Sequence, residues 1–399
     1  MQIAERLRNT TPSATVQMAM IAREMRASGR EITDMAEGES DFDTPAHIVE
    51  AAHAAALRGE TRYTDVAGTL PLREAVADKF RRDNGLAVNA AQVVVGTGAK
   101  QLIFNAMMAT LDPGDEVVIP TPSWVSYPDI VRLCGGVPVM LPCTAAQGFK
   151  PSAAALAAVI GPQTRWLLLN SPGNPTGAVL SASELAALAE VLREHPQVAV
   201  LCDDIYETIR FTGEPFATMA QVAPDLADRV LTVSGLSKSH AMTGWRIGFA
   251  AGPVDLISAM VKLQGQQTTN AASVCQAAAL AALTGPQDFL TDWLAAYRRR
   301  RDLAAEALGR AKGLRLSLPE GAFYLFPACN DYLGRHTPDG RRMETDAQLG
   351  AWLLEETGVA LVPGSAFGAP GHLRLCFARS DDTVLNGASL VAEALERLV

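Results

Sequence analysis

Seven short apolar runs punctuate the chain: "QVVV" at 92–95, "EVVIP" at 116–120, "VPVML" at 137–141, "RWLLLN" at 165–170, "VAVLC" at 198–202, "RVLTVS" at 229–234 and "RIGFAA" at 246–251. Unbroken apolar runs this short predict strands covered on both faces, the habit of a mostly parallel sheet. Between several of them the period changes to that of a helix. "SASELAALAEVLREH" at 181–195 has leucines at helical spacing and Glu184 at capping-box distance from Ser181. "AKQLIFNAMMATL" at 99–111 opens a helix directly after "GTG". This alternation predicts an α/β domain over roughly 45–285, built on a mostly parallel seven-stranded sheet. The flanks read differently. A helical pattern follows "TPSAT" near the start, and 286–313 reads as one long amphipathic helix with a basic band. "GAFYLFPA", a helix near 345–357, "VALVPGSAFG", "HLRLCFA" and a last helix complete the chain. Together, 1–44 and 286–399 predict a smaller α+β domain.

Composition narrows the function classes. Of the 399 residues, 48% are hydrophobic and 19% charged, as in a packed globular enzyme rather than a disordered chain. A net charge of −9 argues against nucleic acid as a partner, because phosphate contacts need a basic face. No run approaches the roughly 18 apolar residues of a membrane span, and the N-terminus lacks the apolar core of an export signal. The six cysteines form no CxxC pair, which fits reduced thiols in a cytoplasm. The six histidines form no HExxH pattern, so no metal is expected.

Polar motifs collect where the predicted strands end, the edge at which parallel sheets bind ligands. "GTGAK" at 96–100 offers backbone N–H groups to an anion, or is a plain turn into a helix. It lacks the third glycine of a dinucleotide fingerprint and the spacing of a P-loop. "NSPGNPTG" at 170–177 holds Asn174 in a stiff turn, or merely connects a strand to a helix. Asp203, in "CDDIYE", sits at the end of a buried strand, where a carboxylate needs a cation, a salt bridge or a cap to form. Tyr206 follows three residues later and faces the same side or packs in the core. Lys238, in "SGLSKSHAMTGWR", is a solvated loop lysine, or an amine with a lowered pKa that attacks a carbonyl. Arg246, eight residues on, suits a bidentate phosphate clamp.

Their order settles the matter: an anion loop, an asparagine turn, a strand-end aspartate, then Lys-x7-Arg. With "GESDFDTP", "YTDVAGTLPLREAVA", "DPGDEVVIPTPSWVSYP", "NSPGNPTGAV", "SKSHAMTGWRIGFAAGP" and "GAFYLF", the chain resembles, nearly end to end, the class I aminotransferases among the fold type I pyridoxal-phosphate enzymes. The resemblance implies a large cofactor domain and a small domain that closes over substrate.

It also implies roles. Lys238 forms an imine with pyridoxal 5′-phosphate and later shuttles the proton. Asp203 pairs with the pyridinium nitrogen and keeps the ring an electron sink. Tyr206 and Asn174 donate to the ring hydroxyl oxygen. Trp124 stacks on the ring. Gly98, Ala99, Lys100, Ser237 and Arg246 hold the phosphate, with Tyr63 reaching it from the neighbouring subunit of a homodimer. Arg374 clamps the substrate α-carboxylate, assisted by Gly38 and Asn174. "PSAT" and the lysine of "GAKQ" resemble the bacterial aspartate aminotransferase branch, in which Ser13, Thr15 and Lys100 contact the far carboxylate. The expected reaction moves an amino group from aspartate or glutamate to 2-oxoglutarate or oxaloacetate. The alternatives are aromatic, prephenate, alanine or basic substrates, or a lyase on the same fold; a regulatory module is disfavoured by the missing DNA-binding segment. Three departures from the pattern stand out: Gly235 where relatives carry Ser or Thr, Ser40 in place of proline, and Gly173 where Asn is common.

Overall fold

The structure is a computed structural model that describes residues 2–8, 10 and 14–399, with the side chains of 14–16 and 19 outside the description. The central sheet has seven strands: β1 (Val93–Gly96), β2 (Glu116–Thr121), β3 (Val137–Pro142), β4 (Thr164–Asn170), β5 (Ala199–Asp203), β6 (Val230–Gly235) and β7 (Gly248–Ala251). Their spatial order is β1-β7-β6-β5-β4-β2-β3. The pairs β3–β2, β2–β4, β4–β5 and β5–β6 are parallel, and β7 runs antiparallel to both β6 and β1. Every strand except β7 therefore ends on one edge, and β7 begins there.

The unbroken apolar runs follow from burial on both faces. Val94, Val117, Leu168, Leu201 and Leu231 pack on one side with Leu102, Ile103 and Met107 of the helix Ala99–Thr110. Val118, Leu167, Val200 and Cys202 pack on the other with Leu185, Leu188 and Leu192 of the helix Ala182–Arg193. That second helix starts as its sequence predicts, with Ser181 and Glu184 forming a reciprocal capping box. β3 departs from the pattern. It closes one side of the sheet, so Val137 is 46% and Met140 38% exposed despite the apolar run. The long helix spans Phe289–Leu308, shorter than its amphipathic pattern, which carries on past the helix's end at Gly309.

A three-stranded antiparallel sheet forms from Val362–Pro363, Leu373–Cys376 and Tyr324–Leu325. The short strand Thr33–Asp34 pairs in parallel with Val359–Ala360, tying the two flanks together. All six cysteines are free thiols. Among the described residues no helix is long and apolar enough to cross a membrane.

Candidate active site

Register brings the motifs to one edge. Asn170 at the end of β4 lies beside Asp203 at the end of β5, and Gly235 at the end of β6 lies beside Gly248 at the start of β7. Gly248 in turn faces Gly96, the last residue of β1. The edge borders a cavity of ≈ 330 Å³ that reaches to Tyr324, Arg374 and the helix Ala14–Ala27.

Lys238 stands just past β6, half-buried, and its Nζ donates to the Gly38 carbonyl at 2.5 Å. Burial pushes its ammonium down to about 8, and Arg374 and Arg246 push the same way, while Cys376 and Glu39 pull it up. An amine so shifted still carries its proton in most molecules near neutral pH, but its neutral fraction of about a tenth or more far exceeds that of an ordinary lysine. Gly235 has a steric reason: a Cβ there would meet Gly248 Cα and Ile205 Cδ1, each at 3.2 Å. Of the nearby hydroxyls, Ser234 is turned away and donates to Glu207 at 2.9 Å, whereas Ser237 lines the cavity.

Asp203 is buried. Its Oδ2 accepts from the Tyr127 hydroxyl at 2.7 Å, but its Oδ1 has no partner. Burial raises its pKa to about 6, against the Tyr127 hydrogen bond and the charge of Lys238. A buried carboxylate with one oxygen unspent is costly unless something cationic fills the space beside it. Asn170 fixes the neighbourhood: its Nδ2 donates to the Asp203 carbonyl at 2.7 Å, and its Oδ1 accepts from the Asn174 N–H at 2.9 Å. Tyr206 and Tyr324 share a hydrogen bond between hydroxyls at 2.8 Å, and burial holds both phenols well above their usual pKa.

Arg374 is 1% exposed. Its guanidinium lies between the Tyr324 and Phe367 rings, 4.5 and 4.9 Å from their centroids. Nη1 donates to Asn174 Oδ1 at 2.9 Å and Nη2 to the Ala36 carbonyl, while Nε is buried with no partner. Gly38 must be glycine, because a Cβ there would fall 2.1 Å from the Tyr324 hydroxyl oxygen.

The anion loop forms the third wall. Gly98, at φ +86°, precedes the helix Ala99–Thr110, and the Arg246 guanidinium lies close enough that a Cβ on Gly98 would meet Nη2 at 2.5 Å. Arg246 itself has φ +52°, and its Nη1 donates to the Thr243 carbonyl at 2.8 Å. Lys100 Nζ sits 4.6 Å from the Trp124 ring centroid, with its pKa lowered by burial and then by Arg246. Two cations and a helix N-terminus converge here, the setting for a phosphate. Trp124 meets Tyr127 edge to face at 5.2 Å.

The cavity thus gathers Ala99, Lys100 and Trp124, then Asn174, Asp203 and Tyr206, then Ser237, Lys238, Arg246, Gly38 and Arg374. Gly98 is not on its wall and lies behind the Arg246 guanidinium. Tyr63 stays apart, 88% exposed in the single chain. Ser13 and the side chain of Thr15 lie outside the described residues. Sequence reasoning missed Tyr127, three positions after Trp124 in a quoted motif, and Asn170 and Tyr324, also in quoted motifs. It also missed Glu37, Thr243 and Arg23, which line the cavity. No cluster of metal-binding side chains occurs among the described residues.

Comparison with known proteins agrees with this geometry. The family described as aminotransferase class I and II matches residues 30–389. An aspartate aminotransferase of Rhizobium meliloti is 49% identical over 397 residues, covering 100% of this chain and 97% of the relative. An aspartate/prephenate aminotransferase of Cereibacter sphaeroides is 48% identical, covering 96% of each chain. The crystal structure of the aspartate aminotransferase from Rhizobium meliloti superposes with a TM-score of 0.97 at 48% identity, covering 100% of both chains. That of the Thermus thermophilus aspartate aminotransferase with maleate gives 0.91 at 41% identity, covering 99% of this chain and 100% of the other.

Proposed function

The chain belongs to the class I and II aminotransferases, and from that premise we propose that it moves the amino group of aspartate or glutamate onto 2-oxoglutarate or oxaloacetate. It is a transaminase that depends on pyridoxal 5′-phosphate. The residues at the sheet edge fit that cofactor, since Asp203 Oδ1 is buried and unpartnered beside an amine whose pKa burial has lowered. That pairing is the observation on which the reading rests. When bound, the cofactor supplies an aldehyde that takes up amino groups and a ring that accepts the electron pair released at the substrate α-carbon.

The chain's own groups do the rest. Lys238 takes and returns a proton at the substrate α-carbon. Asp203 Oδ1 would hold a proton on the ring nitrogen, with Tyr127 keeping the carboxylate aimed. Arg246, Ser237 and the N–H groups at Gly98 and Ala99 would hold the phosphate. Tyr206 and Asn174 would donate to the ring hydroxyl oxygen, and Trp124 would cover the ring. Arg374 clamps the α-carboxylate, and Lys100 takes the far one. The relatives' names support the acidic substrates.

Further proposals accompany this one. The chain divides into a cofactor-binding part over 45–285 and a substrate-closing part over 1–44 and 286–399, a division supported by the Thr33–Val359 pairing. It works as a homodimer, supported by the exposed Leu57 and Tyr63, with Tyr63 completing the partner's phosphate site. It works in the cytoplasm, supported by six unpaired cysteines. A panel of amino donors against 2-oxoglutarate and oxaloacetate tests the reaction. Aspartate and glutamate should lead by at least about tenfold in kcat/KM over alanine, phenylalanine and lysine; a lead by any of these three would replace the proposed substrate.

A further inference from the structure

The helix Ala14–Ala27 places Arg23 on the wall of the catalytic cavity. The side chain is exposed, and the ion pairs of the described residues do not include it. Among the described residues five cations border this cavity: Arg23, Lys100, Lys238, Arg246 and Arg374. Three have duties under the proposed function. Lys238 meets the aldehyde, Arg246 the phosphate and Arg374 the α-carboxylate. Lys100 stands beside the anion loop, close enough to Arg246 for repulsion to lower its pKa. Of the three carboxylates on the wall, Asp203 serves the ring nitrogen and Glu39 accepts from the Thr243 hydroxyl, leaving Glu37.

A dicarboxylic substrate adds one more negative group than the α-carboxylate, and Arg23 is the cation with no other task. Its guanidinium stays charged at every relevant pH and can grip both oxygens of a carboxylate, which an ammonium cannot. We propose that Arg23 is a specificity-determining residue that, with Lys100, binds the far carboxylate of acidic amino acids and 2-oxo acids. The inference rests on the dicarboxylate reading above and deepens it.

The test compares Arg23→Gln and Arg23→Lys with the parent, each as cofactor-loaded enzyme. One readout is kcat/KM for aspartate, glutamate and alanine. The other is the affinity for succinate and for propionate, followed by the thermal shift that each unreactive acid produces. Loss of a charge-assisted, two-pronged contact predicts that Arg23→Gln lowers kcat/KM for aspartate and glutamate about tenfold to a hundredfold, mainly through KM. Alanine should stay within about twofold, succinate should lose its preference over propionate, and Arg23→Lys should recover part of both. Equal losses for alanine and aspartate, or an unchanged succinate preference, overturn the role of Arg23. If Lys100→Ala abolishes that preference while Arg23→Gln does not, the dicarboxylate reading stands and only Arg23 is excluded. If the parent itself prefers neither aspartate nor succinate, both fall together.

Discussion

Two sets of side chains on the cavity wall are built on opposite plans. Asp203, Asn174, Tyr206 and Arg374 are buried, and each is tied to another member of the site by a hydrogen bond. Lys100 and Arg23, by contrast, stand exposed on helices, one resting on a tryptophan face and the other without an ion-pair partner among the described residues. Buried, cross-linked polar groups cannot shift without leaving a neighbour unsatisfied, so they specify one geometry. Exposed cations cost little to move or replace. Under the proposed function, the difference would leave the reaction to the rigid set and the choice of substrate to the adjustable one.

That contrast can be broken by substitution. Lys238→Ala should lower transamination by about 10³-fold or more, because it removes both the amine and the proton carrier. The protein should stay folded, as thermal melting would verify, and turnover above a few per cent of the parent would show that the proton travels elsewhere. Arg374→Lys should raise KM roughly tenfold or more for aspartate and alanine alike, since every amino acid carries an α-carboxylate. Lys100→Ala should raise KM for aspartate by about tenfold and leave alanine nearly unchanged. If the two variants gave the same substrate profile, the division between a common set and a selective set would be lost.

The smallest effect concerns pH. Capture of pyridoxal 5′-phosphate by the apo-protein requires a neutral Lys238. With the ammonium lowered to about 8, the protonated, unreactive form dominates below that value and the neutral form above it. The capture rate, followed by absorbance, should therefore climb with pH up to about 8 and then level off. A rate still climbing towards pH ~10 would mean that the lysine is not desolvated.

Much of this was legible beforehand, for physical reasons. Strand runs were unambiguous because both faces of the sheet are covered, so nearly every residue in β1, β5 and β6 had to be small or aliphatic. β3 shows the limit: an apolar run reports strand propensity, and only the sheet order says that this one is an edge. Residues within short motifs announced themselves. Their supports did not: the bond from Tyr127 to Asp203 joins β5 to the helix after β2, a contact fixed by the fold rather than by spacing. Ser40 stands in place of proline, and its hydroxyl shares a hydrogen bond with Tyr297 at 2.7 Å and accepts from the Phe42 N–H at 3.1 Å, a restraint on the loop by other means. Arg23 carried no signal at all, because an arginine in an amphipathic helix reads as a solvated face until tertiary structure sets a cavity beside it.

The pairing of Thr33 with Val359 has a consequence for biosynthesis. As the polypeptide leaves the ribosome, β1 to β7 and Lys238 are complete long before Val359 and Arg374 emerge. Throughout that interval the early segment carrying Gly38 and Arg23 lacks its later partner. Synthesis thus delivers the whole central sheet before the strand that ties the two flanks together, so that tie can form only late.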